Sequence, residues 1–374
     1  MSTPESWMRR ALDLARQGAG HVSPNPMVGA VLVDPSGEVL GEGCHGRFGG
    51  PHAEVEAVRD VEARGHADQL AEATLYVTLE PCSHHGKTPP CTDLILARTI
   101  PRVVVAMQDP FPEVAGRGLA RLREAGVDVR VGVLEPEAKR LNEAFVWHVT
   151  TGRPLVTLKL AQTLDGQIAT ASGDSRWVSS EASRTLVHRW RAESDAVLVG
   201  AGTARADDPA LTVRHVNGPQ PLRIVLDRTG ALPESLQVFD DQQADRTLAV
   251  IGSSAQPAYA GTLLARGGLL LRVPECDGHL DLRYLLTVLG SGDGIEQPIQ
   301  SLLVEAGSGL ATALLAQDLV DRLFVFIAPK VLGTGTSSLG DLRIGRMADA
   351  LTFAESAWEP VGPDMLLRGY RRAV

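Results

Sequence analysis

The residues with the clearest chemistry are two cysteines and a histidine–glutamate pair upstream of them. The segment "LEPCSHHGKTPPC" runs from Leu79 to Cys91, and "PHAEV" contains His52 and Glu54. Cys82 and Cys91 could form a disulfide, a structural metal site or part of a catalytic site. Zinc prefers imidazole and thiolate ligands, and one histidine with two cysteines leaves the fourth tetrahedral position open for water. The pattern favours a catalytic zinc site with ligands His52, Cys82 and Cys91.

Glu54 is suited to the proton transfers that such a site needs. Zinc lowers the pKa of a bound water from about 15.7 to about 7, and zinc deaminases use a glutamate that is not a ligand to move protons. Each residue also has an ordinary interpretation. His52 could cap a helix, the cysteines could be buried thiols, and Glu54 could simply favour a helix N-terminus. Taken together, with a proline directly before Cys82, the residues favour a deaminase.

A second candidate site is a glycine-rich turn between a predicted strand and a predicted helix. The segment "VEAGSGLATALL" places Gly307, Ser308 and Gly309 at the start of the helix, where backbone N–H groups can bind a phosphate. Such turns also let a strand and a helix approach closely, and Thr312 stands where a Rossmann fingerprint has its third glycine. The turn alone leaves its function open.

Composition limits the class of protein. A chain of 374 residues is long enough for two or three domains. The net charge is −9, and no run of Lys and Arg is longer than a pair, which favours a small-molecule substrate over a nucleic acid. The start "MSTPESWMRR" resembles no signal peptide, and no apolar run is long enough to cross a membrane. We therefore expect a cytoplasmic protein with reduced thiols, which weakens the disulfide interpretation.

The elements around these residues alternate between strands and helices. This alternation predicts an α/β fold with a largely parallel sheet covered by helices. Gly152 and Pro154 suggest a boundary, giving domains 1–150 and 151–374. Strands are predicted at "MVGAVLVD", "EVLGEG", "TLYVTLE", "RVVVAM", "VDVRVGV", "PLVTLKLA", "DAVLVG", "LRIVLD", "TLAVIG", "GLLLRV", "IQSLLVE" and "DRLFVFIA", and helices at "ESWMRRALDLARQGAG", 52–65, from about 91, at "RGLARLREAG", "EPEAKRLNEAFVWHVT", 181–193 and 309–319.

Several longer motifs carry a family resemblance. "SPNPMVGAVLV", "HAEV", "PCSHHGKTPPC" and "QDPFPEVAGRGLARLREAG" resemble the deaminase half of the bifunctional riboflavin-biosynthesis deaminase/reductase family, called RibD or RibG. "LKLAQTLDGQIATASGDSRWVSS", "GAGTARADDPALTVR" and "VEAGSGLATALL" resemble its reductase half. The resemblance implies an N-terminal cytidine-deaminase-like three-layer αβα domain and a C-terminal dihydrofolate-reductase-like α/β domain. It also implies Zn²⁺, NADPH, a phosphoribosylaminopyrimidine substrate and a homo-oligomer.

The resemblance further implies a set of site residues. His52, Cys82 and Cys91 would bind zinc, and Glu54 would move protons. The pyrimidine and its ribose phosphate would contact Asn25, His45, His84, Lys87 and Asp109 in the deaminase. NADPH would contact Ala161, Trp177, Thr203, Asp207, Gly307, Ser308, Gly309, Leu310, Ala311, Thr312 and Ala313. The reductase substrate would contact Lys159, Ser175, Arg191, Leu211, Arg214 and Glu305, of which the two arginines suit a phosphate.

Two positions depart from the family pattern. Glu56 stands where the family usually has histidine, and Phe111 stands where it usually has asparagine, so we expect Phe111 to pack and not to contact substrate. Two rival hypotheses stay open. A nucleoside or tRNA deaminase with an unrelated C-terminal domain would have two residues between the cysteines and more basic charge. A non-catalytic zinc-stabilised binding protein would have a fourth protein ligand.

Overall fold

The chain is organised as two compact units, with the division between Thr151 and Gly152. The structure is a computed structural model, and it describes residues 3–83, 89–111 and 114–372, except for the side chain of residue 240. Across these ranges, no helix is both long enough and apolar enough to cross a membrane.

In the described part of the first unit, strands and helices alternate after an initial helix and hairpin. Short 3₁₀ helices also occur at Arg16–Gly18 and Ala67–Glu72. The elements are α1 (Pro4–Ala15), β1 (Gly29–Val33), β2 (Val39–Cys44), α2 (Ala53–Ala63), β3 (Thr74–Leu79), α3 (Cys91–Ala97), β4 (Arg102–Met107), α4 (Arg117–Glu124), β5 (Asp128–Val131), α5 (Glu135–Leu141) and α6 (Glu143–Thr151).

The strands form one sheet in the order β2-β1-β3-β4-β5. Strands β3, β4 and β5 are parallel, whereas β1 is antiparallel to both β2 and β3. Apolar side chains of α2, α3 and α4 pack on one face, and those of α1 and α5 pack on the other. The unit is therefore a three-layer αβα domain of the kind the resemblance implies, with an antiparallel hairpin at one edge.

Small residues let helix α2 approach the sheet closely. A Cβ atom at Gly43 in β2 would lie 2.4 Å from the backbone nitrogen of Ala57, closer than real Cβ atoms come. A side chain at Gly41 would meet Val61 in the same way. The two glycines therefore set the height of α2 above the sheet, and with it the position of the residues at the start of α2.

The predicted closing helix of the first unit is interrupted. It divides at Asn142 into α5 and α6, and the buried Asn142 amide bonds the backbone of Met27 in both directions. Its Oδ1 accepts the Met27 N–H at 2.8 Å, and its Nδ2 donates to the Met27 carbonyl at 2.9 Å. The expectation of one continuous helix is wrong, and the interruption coincides with this long-range contact.

The second unit also alternates between strands and helices, and its elements are numbered on from those of the first unit. Short 3₁₀ helices occur at Ala244–Arg246 and Met347–Asp349. The strands are β6 (Leu155–Thr163), β7 (Gln167–Thr170), β8 (Ala196–Gly200), β9 (Leu222–Leu226), β10 (Thr247–Gly252), β11 (Leu269–Val273), β12 (Glu275–Cys276), β13 (His279–Leu280), β14 (Ser301–Glu305), β15 (Arg322–Ala328), β16 (Gly335–Ser337), β17 (Glu355–Val361) and β18 (Asp364–Tyr370), and the helices are α7 (Glu181–Glu193), α8 (Ala201–Asp207), α9 (Gln237–Asp240), α10 (Ala260–Ala265), α11 (Leu282–Ser291) and α12 (Ser308–Ala316).

The main sheet of the second unit has the order β11-β10-β9-β8-β14-β6-β15-β18-β17. The strands from β11 to β15 are parallel, and β18 and β17 add an antiparallel edge. Helices α11 and α12 pack on one face and α7 to α10 on the other. The parallel core agrees with the sequence prediction, but the antiparallel edge was not predicted.

Candidate active sites

The three predicted zinc ligands lie at the ends of three elements of the first unit. His52 immediately precedes α2, Cys82 follows β3, and Cys91 is the first residue of α3. His52 occupies the N-cap position of α2, but its side chain makes no capping hydrogen bond to the helix. All four cysteines are free thiols, which contradicts the disulfide alternative.

The ligand atoms lie at distances that suit one tetrahedral zinc ion. His52 Nδ1 is 3.3 Å from Cys91 Sγ and 3.5 Å from Cys82 Sγ, and all three ligand atoms lie within 4.8 Å of one another. Zn–N and Zn–S bonds of about 2.0 and 2.3 Å in a tetrahedron place nitrogen and sulfur roughly 3.5 Å apart. The nitrogen and the two thiols therefore fit a zinc ion in both chemistry and spacing.

The two thiols share their hydrogen bonding unequally. The Cys91 backbone N–H donates to Cys82 Sγ at 3.2 Å. A hydrogen bond from the Cys91 thiol, and a second from His52, lower the pKa of the Cys82 thiol to about 4 despite burial. The same pairing, together with burial, raises the pKa of Cys91. Cys82 is thus held as a thiolate, the form in which cysteine binds metal ions.

Glu54 is buried beside this cluster, with 4% of its surface exposed. Burial raises the pKa of Glu54 to about 7, and the negative charge of Cys82 adds to that effect. A carboxyl group whose pKa lies near neutrality can both accept and donate a proton under working conditions. Its position and its pKa both suit a proton carrier.

Asn25 and His45 form a hydrogen-bonded pair next to His52. Nδ1 of the buried His45 lies 2.8 Å from the Pro51 carbonyl, so Nδ1 carries the proton, and Nε2 accepts from Asn25 Nδ2 at 3.1 Å. Burial lowers the pKa of His45, which favours this neutral form. The structure thus places two of the predicted substrate residues together, in contact with the residue preceding a zinc ligand.

The remaining residues singled out in the deaminase sequence do not belong to this hydrogen-bonded pair. His84 and Lys87 lie outside the described residues. Asp109 follows β4, and its Oδ1 accepts the Phe111 N–H at 2.9 Å. Phe111 is 41% exposed, so the expectation that it packs is not met. Glu56 of α2 forms an ion pair with the exposed Arg59 one turn further along the helix.

The reductase candidates include a largely buried network of three charges, in which 17% of the Lys159 side chain and 13% of the Glu305 side chain are exposed. Glu305 at the end of β14 lies beside Lys159 in the register of β6, with Nζ 4.0 Å from Oε2. Arg191 of α7 donates to both Glu305 oxygens at 2.6 and 3.0 Å and to the Thr212 carbonyl at 3.0 Å. Burial alone would raise the pKa of Glu305, but Arg191 and Lys159 outweigh it and lower the pKa to about 2. The Arg191 side chain is therefore engaged by protein groups.

Arg214 is exposed and lies close to the same helix. Its backbone N–H donates to Nδ1 of the buried His188 at 3.0 Å, and His188 stands one turn before Arg191 in α7. Leu211, by contrast, is 1% exposed and belongs to an apolar cluster. Leu211 can meet a ligand only through its backbone, whereas the Arg214 guanidinium is accessible.

The glycine-rich turn lies against a second predicted cofactor element. Gly307 is the N-cap of α12, and a Cβ there would lie 3.1 Å from Thr203 Oγ1 of α8. Thr203 and the turn are therefore neighbours, and Ser175 donates to Asp207 at the end of α8 at 3.3 Å. Trp177 is 61% exposed, so it is not a core residue. The backbone start of α12 fits a phosphate of a dinucleotide. The Trp177 ring is solvent-exposed but has the Arg184 guanidinium over it, 4.4 Å from the ring centroid.

Sequence reasoning missed three residues that organise these sites. Asn142 and His188 hold the backbones of Met27 and Arg214, as described above. Glu80, directly before the Pro81–Cys82 pair, accepts backbone hydrogen bonds from the segment that contains Asp109. Only the position of Glu80 next to that pair offered any signal, because the partners of all three are backbone groups distant in sequence.

Models of known families match both units. The cytidine and deoxycytidylate deaminase zinc-binding region matches residues 1–107, and the RibD C-terminal domain matches residues 154–367. The fold and the two sites define a bifunctional enzyme, a zinc-dependent deaminase joined to an NADPH-dependent reductase of dihydrofolate-reductase-like fold.

The chain belongs to the RibD family, the bifunctional deaminase/reductases of riboflavin biosynthesis. The riboflavin biosynthesis protein RibD of Escherichia coli is 44% identical over 97% of this chain and 98% of its own length. The solved RibD structure of Acinetobacter baumannii has a TM-score of 0.85 at 36% identity, covering 98% of both chains. A deaminase/reductase structure from Thermotoga maritima has a TM-score of 0.82 at 37% identity, again covering 98% of both chains. These matches disfavour both rival hypotheses.

Proposed function

We propose that residues 1–150 form the deaminase and residues 151–374 the reductase, acting in that order. The first domain hydrolytically removes an amino group from a diaminopyrimidinone that carries a phosphoribosylamino group. The second reduces the ribosyl part to ribityl with NADPH. The Thermotoga maritima relative is titled a diaminohydroxyphosphoribosylaminopyrimidine deaminase and 5-amino-6-(5-phosphoribosylamino)uracil reductase. The observation that carries the proposal is the His52–Cys82–Cys91 cluster with Glu54 buried beside it.

In the deaminase, His52, Cys82 and Cys91 would hold the zinc ion, which when bound supplies a Lewis acid that activates water. Glu54 takes up a proton as water adds to the amine-bearing ring carbon. It then gives a proton to the amino group, which leaves as ammonia. A pKa near 7 suits both steps, because the same carboxyl must accept and then release a proton.

Asn25, His45 and Asp109 are proposed to orient the pyrimidine. Since Asn25 Nδ2 donates to His45, the Asn25 carbonyl oxygen is the end of the amide suited to accept an N–H of the ring. His45 is buried and hydrogen-bonded to Pro51, so we assign it to orienting Asn25. Lys87 and His84 are proposed to meet the ribose phosphate, where a lysine serves as a compact charge.

In the reductase, NADPH supplies the hydride, and its phosphates are proposed to meet the start of α12 and Thr203. Ala161, Trp177 and Asp207 complete the proposed cofactor contacts. The ionised Glu305 accepts hydrogen bonds from the sugar hydroxyls, and Lys159 lies beside it. Because Arg191 is already bonded to Glu305, we propose that Arg214 is the main phosphate-binding residue and that Arg191 fixes the position of Glu305. Ser175 and the Leu211 backbone contribute further substrate contacts.

We also propose that the enzyme works in the cytoplasm as a homo-oligomer on a small molecule, without a nucleic-acid partner. The net charge of −9 supports a small-molecule substrate, because nucleic-acid binding relies on basic patches. Cys82 and Cys91 lie close together as free thiols, which supports a reducing compartment. Trp358 on the edge strand β17 is 56% exposed, and such an apolar surface is suited to contact with a second copy of the chain. Sedimentation of the purified protein tests whether it forms an oligomer.

The test is Glu54→Gln, with Glu56→Gln in the same helix as the matched control. Glutamine keeps the shape of Glu54 but cannot carry a proton between water and the amino group. We expect ammonia release to fall by about 10²- to 10⁴-fold while bound zinc and NADPH oxidation on the deaminated substrate stay unchanged. Glu56→Gln should leave all three quantities unchanged, because Glu56 forms an ion pair with the exposed Arg59 and does not belong to the metal-binding cluster among the described residues.

Two results would contradict the proposal. Loss of bound zinc in Glu54→Gln would make Glu54 a ligand. Loss of NADPH oxidation on the deaminated substrate would show that the two reactions do not reside in separate sites.

A further inference from the structure

Glu80 is a buried carboxylate that the proposed mechanism does not use. It directly follows β3, is 4% exposed, and stands two residues before Cys82. Its own backbone N–H donates to the Met107 carbonyl at 3.0 Å, which joins the carboxyl ends of β3 and β4. The side chain therefore starts from a fixed point at the edge of the sheet where the zinc ligands lie.

The carboxylate accepts four backbone hydrogen bonds from one segment of the chain. Oε2 accepts the N–H groups of Asp109 at 3.2 Å and Gly116 at 2.9 Å. Oε1 accepts those of Gly118 at 2.9 Å and Leu119 at 3.4 Å. The donors are Asp109 after β4 and residues at the start of α4, so a single side chain ties these two described parts of the chain together.

The start of α4 also packs directly on the backbone next to Glu80. A Cβ at Gly118 would lie 2.1 Å from the carbonyl oxygen of Pro81, so only glycine allows this approach. A carboxylate at the start of a helix is favourable because unpaired N–H groups converge there. Glu80 thus serves α4 as a cap supplied by another element, and it sets the position of α4 relative to Cys82.

We propose that Glu80 is a positioning residue of the deaminase, which fixes Asp109 relative to the zinc ligands and thereby governs substrate binding. The inference rests on the proposed function, since it takes Asp109 as a substrate contact. Four N–H donors require an acceptor with two oxygens. A glutamine would offer one oxygen and would turn an NH₂ group toward two donors, so half of the contacts would be lost.

The test is Glu80→Gln in the full-length enzyme, assayed for ammonia release as a function of substrate concentration. We expect KM to rise by roughly tenfold or more, with kcat changed by less than about threefold and with zinc content unchanged. Reductase activity on the deaminated substrate should stay at the wild-type level and provides an internal control. Glu80→Asp, which keeps two acceptor oxygens on a shorter side chain, should recover part of the affinity.

The control is Asp34→Asn. Asp34 also holds a turn by accepting a backbone N–H, from Glu38 at 2.7 Å. It follows Val33, which pairs with Thr74 at the start of β3, so this turn lies at the opposite end of the sheet from Glu80. Asp34→Asn should leave the KM for deamination unchanged.

A fall in kcat and zinc content with unchanged KM in Glu80→Gln would overturn the inference, because Glu80 would then only support the fold. If Glu80→Gln does not accumulate, Glu80→Asp is measured by the same criteria. Asp109→Asn separates the two proposals. If Asp109→Asn raises KM while the Glu80 variants do not, only the inference about Glu80 fails. If Asp109→Asn leaves KM unchanged, both that inference and the assignment of Asp109 to substrate binding fail.

Discussion

Two largely buried glutamates, one in each unit, have pKa values shifted in opposite directions. Burial is the largest influence on Glu54 in the deaminase and raises its pKa to about 7, with the charge of Cys82 adding to it. The Glu305 side chain in the reductase is 13% exposed, and Arg191 and Lys159 lower its pKa to about 2 against the effect of burial. The difference comes from the neighbours, because both carboxyl groups lose water.

The two environments suit two kinds of chemistry. A carboxyl group that titrates near neutrality can carry protons, which hydrolytic removal of an amine needs. A carboxylate that stays ionised can only attract and orient, which is sufficient where the cofactor supplies the reactive hydride. Under the proposed function, Glu54 would therefore transfer protons, whereas Glu305 would orient the substrate of the reductase.

The largest expected effect separates the units by removal of metal. Incubation with a zinc chelator should reduce ammonia release to background, because His52, Cys82 and Cys91 would lose the ion that we propose they bind. The thermal transition of the first unit should move to lower temperature, since metal bound only to the folded state stabilises it. NADPH oxidation on the deaminated substrate should not change.

Restoration by added Zn²⁺ is the control for this experiment. A parallel loss of reductase activity would break the comparison, because it would show that the second site depends on the metal.

The deaminase centre was more predictable than the reductase site, for a physical reason. Zinc chemistry restricts its ligands to few residue types, so His52, Cys82 and Cys91 were recognisable in the sequence, and the structure brings them together. Arg191 was expected to bind phosphate, yet it is bonded to Glu305. An arginine side chain carries no sign in the sequence of which anion it meets.

The fold shows the same limit. Buried parallel strands were predicted from their apolar runs, but β17 and β18 were not. Strand β17 lies at the sheet edge, is largely exposed and contains Pro360, so it lacks the apolar pattern of a strand and tolerates proline. The break at Asn142 was likewise invisible, because its partner Met27 lies 115 residues away.

A smaller effect is expected from separating the charges of the reductase. Arg191→Met removes the strongest cationic partner of the largely buried Glu305, and breaking a buried ion pair costs about 3–5 kcal/mol. The thermal transition of the second unit should fall by roughly 6–20 °C, and KM for the reductase substrate should rise. Calorimetry and steady-state kinetics measure both quantities.

The double variant Arg191→Met with Glu305→Gln sharpens this prediction, because it removes both charges. It should recover part of the lost stability without recovering activity. Arg189→Met, an exposed position in the same helix, is the control. If Arg191→Met behaved like this control, Glu305 would not depend on its partner.

The smallest expected effect is a pH dependence carried by His188. Burial lowers the pKa of His188 to about 4, with Arg191, His215 and Arg214 adding to burial and Glu305 opposing it. In the unfolded chain a histidine titrates near 6.5. Below that pH the unfolded state takes up a proton that the folded state refuses, so the stability of the second unit should fall from pH 6.5 to about 4.

His188→Asn should remove this part of the slope, because Asn Oδ1 can accept the Arg214 N–H without titrating. Thermal transitions at intervals between pH 7 and 4 provide the measurement, and His279→Asn at an exposed site is the control. The effect of Glu305 cannot imitate it. The stabilising charge of Glu305 is lost only as the pH falls from about 4.5 toward 2, so the slope between pH 6.5 and 4.5 reports His188 and not Glu305. An unchanged slope in His188→Asn would show that His188 is not held neutral by the fold, and that Glu305 alone distinguishes the reductase electrostatically from the deaminase.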